Sequence, residues 1–95
     1  MKFLEKFNFT PNEIQEFQNT TATNMIDALC EARKLVVANG EYLMDLGVKN
    51  FKEIFMNYYE LFLLDHSNFV QIFNKYDRDD LVEKLDKNVA IVEYL

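Results

Sequence analysis

Cysteine, histidine and proline each occur once in this chain of 95 residues, glycine occurs twice, and tryptophan is absent. The lone thiol, Cys30, has no partner for an internal disulfide. Together with the one imidazole, His66, it falls short of the four-ligand set of a structural zinc site, so neither metal nor cofactor is expected. Two glycines and one proline are too few turn formers for a β protein of this length, which leaves helix as the expected class. Basic residues are scarce as well: ten Lys and Arg against sixteen Asp and Glu give a net charge of −6. Nucleic-acid binding runs on lysine and arginine displacing counterions, and this balance argues against it. The same sign discourages an anionic membrane surface. No apolar run approaches the roughly 20 residues of a membrane-spanning helix. Residues 1–9 mix charge with aromatics and lack the apolar stretch and cleavage site of an export signal, so a cytoplasmic location is expected.

What the chain has in quantity is apolar side chains. Hydrophobic residues make up 49% and charged ones 27%, the balance of a chain that folds. Residues 1–95 read as a single helical domain with no repeat or linker, and one this short hides only about 60–65% of its unfolded surface.

The clearest local signal is Phe9-Thr10-Pro11-Asn12-Glu13-Ile14. Thr10 caps a helix, Pro11 fits its first turn, Glu13 completes a capping box, and Phe9 with Ile14 forms a hydrophobic staple. Ile14, Phe17, Thr21, Met25, Ala28, Ala32 and Leu35 then recur at threes and fours, which predicts one long helix. Asn39-Gly40 is its natural stop, although Val36, Leu43 and Leu46 also carry the apolar phase through it. Gly47 closes the following short segment. Asn50 with Glu53 starts another helix, running from Phe51 through Leu64. Asp65-His66-Ser67-Asn68 interrupts it, and a further helix carries Phe69, Val70, Ile72 and Phe73. Asp77 caps the last helix, whose inner stripe is Leu81, Leu85, Val89, Val92 and Leu95. The expected fold is all-α: a compact bundle of four to five helices, the first of them long.

Chemistry is hard to find in this pattern. Asp77-Arg78-Asp79-Asp80 opens like a calcium loop, but Val82 stands where the loop needs glycine and Asn88 where it needs glutamate. His66 is the one side chain of a type whose unperturbed pKa lies near neutrality, yet no nucleophile, glycine-rich elbow or oxyanion motif accompanies it. Cys30, among Ala28, Leu29 and Ala32, reads as a small hydrophobe. Glu13 with Glu16, and Glu83 with Asp86, read as solvated helix faces rather than metal ligands. No catalytic residue is assigned, and a non-enzymatic protein is expected.

The most informative stretch is Phe51 to Tyr76, rich in Phe and Tyr and poor in charge. Phe55, Tyr58 and Phe62 form one row of a helix there, and Ile54, Leu61 and Leu64 another. Two readings follow. Either this is a central helix wrapped by its neighbours, or one row is left for a protein partner or a second copy to cover. The second predicts a partner-binding patch of Phe55, Tyr58, Tyr59, Phe62, Phe69 and Phe73, and a small regulator, inhibitor or subunit, as a homo-oligomer or on a protein partner.

The stretch from Phe9 to Phe55, with Thr10-Pro11-Asn12-Glu13-Ile14-Gln15 opening a long helix and Ala38-Asn39-Gly40-Glu41-Tyr42-Leu43 in mid-course, resembles phasins, helical proteins that coat polyester storage granules. The resemblance covers about half the chain and departs from that family's alanine-rich composition in its load of Phe and Tyr. It implies an alternative role as an amphipathic coat for lipid or polymer particles. A third alternative is a small-ligand site between aromatic helices.

Overall fold

A computed structural model describes residues 1–95 and contains six α-helices and three 3-10 segments, with no strand. The chain opens with a 3-10 segment, Lys2–Phe7, which ends on Asn8 in the left-handed conformation. Helix α1 (Pro11–Thr20) follows the predicted cap. The Glu13 amide donates to Thr10 Oγ1 at 3.2 Å, and the Thr10 amide donates to Glu13 Oε1 at 2.8 Å. Lys52 Nζ reaches the same carboxylate at 2.9 Å. The Thr10 amide first, and Lys52 after it, hold the Glu13 carboxyl below its ordinary pKa. A lowered carboxyl pKa means that this share of the cap is present at neutral pH and lost as pH falls through the lowered value.

The expected long first helix is replaced by three shorter ones. At Thr20 the hydroxyl donates back to the Glu16 carbonyl at 2.9 Å, and Thr21 turns extended. Hydroxyl side chains compete in this way with the helical ladder, and Thr20, Thr21 and Thr23 crowd the site. Helix α2 (Thr23–Glu31) meets α3 (Arg33–Asp45) at Ala32, a bend that no local sequence feature marks. The apolar phase slips across these breaks. Ile14 and Phe17 are buried as predicted, but Met25, Ala28, Ala32 and Leu35 are only half-buried, and Leu29, Val36 and Leu43 take the inner positions.

Asn39-Gly40, the predicted stop, lies inside α3, and both residues are buried. A Cβ on Gly40 would stand 2.5 Å from the tip of the Phe7 ring, so glycine is there to let the N-terminal segment close on α3. The turn comes at Gly47 instead, where φ is +95° and glycine bears no steric penalty. Gly40→Ala is expected to destabilise the fold by about 1 kcal/mol, because overpacking costs about 1–3 kcal/mol against a helix gain near 1. In a Phe7→Ala background the same change should stabilise, and thermal melts of the four variants read the reversal.

Helix α4 (Phe51–Tyr58) gives way after two turns to a 3-10 segment, Tyr59–Leu63, so the predicted Phe51–Leu64 helix is shorter than its apolar pattern. Asp65, at the start of the predicted polar interruption, caps α5 (His66–Asn74) by accepting from the Ser67 amide, and Asp77 caps α6 (Arg78–Lys87) by accepting from the Asp80 amide, as its sequence predicts. Arg78 reaches back to the Asp45 and Leu46 carbonyls and closes the C-terminus of α3. The last helix ends at Asn88, whose Oδ1 accepts from the Ala90 amide, and residues Val89–Tyr94 form a 3-10 segment laid across α4 and α6.

Helix α3 is the spine: the N-terminal segment, the Tyr59–Leu63 segment and α5 all pack on it. A run of rings fills the space around it. Phe7 meets Phe51 at 4.8 Å between centroids, Phe51 meets Phe62 at 5.7 Å, Phe62 meets Phe69 at 5.4 Å, and Phe69 meets Phe73 at 4.9 Å. Phe9 and Phe17 join through Phe55. Offset and edge-on pairs of this kind add roughly 0.5–1.5 kcal/mol each beyond the area they bury.

A tyrosine-lined groove as candidate functional site

The hydroxyl group sorts the aromatic residues. Eight of nine phenylalanines are buried, whereas none of the five tyrosines is. The six side chains expected to form one surface patch are divided accordingly. Phe55, Phe62 and Phe69 have no exposed surface and Phe73 has 1%, so these four belong to the core of a single subunit. Burying each ring stabilises the fold by about 1.5–3 kcal/mol, and none of these four is left for a partner to cover. Tyr58 and Tyr59 alone remain half-exposed, because a phenol that lacks a buried partner keeps its oxygen in water.

These two tyrosines stand where α4 passes into the following 3-10 segment, and the C-terminal 3-10 segment runs beside them. Between the two lies an open groove of about 540 Å³. Its apolar lining is Tyr58, Tyr59, Leu61, Leu64 and Val92, and Asn57, Glu60 and Glu93 form its polar rim. The Tyr59 ring stands edge-on to Phe17 at 5.5 Å, which anchors one wall to the core. The Tyr58 hydroxyl donates to Glu93 Oε2 at 2.9 Å and ties the other wall to the C-terminal segment. That hydrogen bond, with some loss of solvent, raises the Tyr58 phenol above its ordinary pKa.

The sequence placed Leu61 and Leu64 on a row of one continuous helix and Val92 on the inner stripe of another, so neither wall was visible as a wall. Asn88, a capping residue type just before the final apolar run, was the local signal for the C-terminal segment. The preference of tyrosine over phenylalanine for the surface was the signal for the site.

The other candidates are accounted for by structure. His66 opens α5, and its Nδ1 lies 2.8 Å from Oδ1 of the buried Asn39. Asn39 Nδ2 donates to the Phe62 and Leu64 carbonyls, both at 2.9 Å, which fixes the amide and makes Oδ1 an acceptor toward His66. The imidazole therefore pins α5 to α3. Cys30 is half-buried on α2. Asp80 pairs with Lys84 at 3.0 Å and Glu83 with Lys87 at 3.1 Å, each across one helical turn. No three of the His, Cys, Asp and Glu side chains converge as a metal site would need. No helix is long and apolar enough to cross a membrane.

No known protein family matches the chain, and neither does any curated protein or solved structure.

Proposed function

We propose that this chain is a non-catalytic binding module that holds a segment of another polypeptide in the groove between Tyr58-Tyr59 and the C-terminal 3-10 segment. One observation carries the reading: the phenylalanines of the middle third are enclosed, while two adjacent tyrosines and two half-exposed leucines, Leu61 and Leu64, line a single concave strip. Rigid aromatics beside leucine are the side chains that supply anchoring energy at interfaces, since they bury much area for little lost freedom. The volume accommodates a few side chains, a scale that suits a short helix or extended segment rather than the face of a folded domain.

Leu61→Asp tests this, because Leu61 is half-buried and its loss spares the ring core. The wild-type chain, purified from its native host, is expected to carry a companion or to self-associate in sedimentation velocity. The variant, at unchanged melting temperature, should do neither. A strict monomer without companion, or a companion retained by Leu61→Asp, removes the groove as the working surface.

A further inference from the structure

Cations are absent from both walls of the groove. Between Lys52 and Lys75 the chain has no Lys or Arg but carries Glu53, Glu60 and Asp65, and after Lys87 its one charged side chain is Glu93. The basic residues sit elsewhere, and several are already engaged. Lys52 pairs with Glu13, Lys84 with Asp80, Lys87 with Glu83, and Arg78 binds backbone carbonyls. Glu60 makes no ion pair, and Glu93 accepts only from the Tyr58 hydroxyl, so the rim carries two exposed carboxylates without a counter-charge. An apolar, ring-lined floor between uncompensated carboxylates fits an occupant with an apolar stripe flanked by Lys or Arg, which gains both apolar burial and pairing at the rim.

From this charge asymmetry we infer that the groove's partner is a basic amphipathic helix of another protein, not a second copy of this chain. A symmetric dimer through this face would set Glu60 and Glu93 of one subunit against the same residues of the other, with no cation on either wall to pair them. Like charges so placed oppose association most at low salt. The inference rests on the groove being a docking site, and the experiment separates the two.

Two labelled helical peptides of about 15 residues, alike in their leucine stripe but flanked by Lys in one and Glu in the other, are titrated with the whole chain by fluorescence anisotropy. The Lys peptide should bind at least about tenfold tighter, and its affinity should fall as salt rises from about 0.02 to 0.3 M. Glu60→Lys with Glu93→Lys should invert the preference, and Leu61→Asp should abolish binding of both peptides. Two peptides bound equally, each lost with Leu61→Asp, would retain the docking site and overturn the basic partner. Binding of neither, or binding unaffected by Leu61→Asp, would overturn both. Dimerisation that disappears with Leu61→Asp would show the occupant to be a second copy.

Discussion

Phe62→Ala is expected to lower the unfolding free energy by about 3–5 kcal/mol, the range for deleting a fully enclosed ring. Phe62 sits at the crossing of the aromatic run, within 5.7 Å of Phe51, 5.1 Å of Phe55 and 5.4 Å of Phe69, and none of its surface is exposed. Removing it leaves a cavity that two rings on α4 and one on α5 must close, and rings fixed by their own neighbours collapse poorly into such a space. The whole stability of a domain of this length is about 5–14 kcal/mol, so the variant lies near the edge of folding. Urea titration reads the effect as a lower midpoint at unchanged slope. Tyr58→Phe, which removes only the exposed hydroxyl bond to Glu93, should shift stability by less than about 1 kcal/mol. If instead Phe62→Ala loses no more than the Tyr58 variant, the middle rings are not the core, and the six-residue surface patch regains its claim.

That contrast shows where sequence was informative. Caps at Thr10 and Asp77 were legible because a cap is a local transaction, between a side chain and an amide three residues on. The concentration of rings in the middle third was legible too, and so was its significance for packing. What misled was the assumption that rings on one helical row share one environment. The chain leaves the α-helix after Tyr58 for a tighter 3-10 turn, and Phe62 is enclosed while Tyr58 and Leu61 stay half-exposed. The helix breaks were harder. Asn39-Gly40 carries the composition of a stop, yet Gly40 is required by Phe7, more than thirty residues away, and Asn39 by the Phe62 and Leu64 carbonyls. Non-local demands of this kind leave no mark on neighbouring residues. The groove suffers the same way, because its two walls are separated by almost thirty residues of sequence.

Asn39→Asp is expected to be nearly as damaging as Phe62→Ala, although it replaces one nitrogen by oxygen. In the native protein the amide donates to the buried Phe62 carbonyl and the part-buried Leu64 carbonyl, and accepts from His66. These three contacts tie α3, the Tyr59–Leu63 segment and α5 at one point. A carboxylate there has no donor, so both carbonyls lose their partner and face a negative oxygen in a site with no exposed surface. One unmade buried hydrogen bond at about 1–3 kcal/mol, with a smaller share from the part-buried one, gives a loss of about 2–4 kcal/mol near neutral pH. The sign of the pH dependence identifies the cause. The new carboxyl has a folded pKa raised above its unfolded value, so its protonated form is the one the fold tolerates, and stability is lost as pH rises through the raised value. Lowering pH should therefore recover part of the loss, through the neutral acid's one donor. Asn39→Leu should lose comparable stability without that carboxyl-driven recovery. It also frees the imidazole. In the parent the neutral ring must carry its proton on Nδ1, the atom facing Oδ1, and ring nitrogen resonances in the Leu variant should lose that assignment. An Asp variant equally stable at neutral pH, with its His66 tautomer unchanged, would mean that the Asn39 amide does not join these elements.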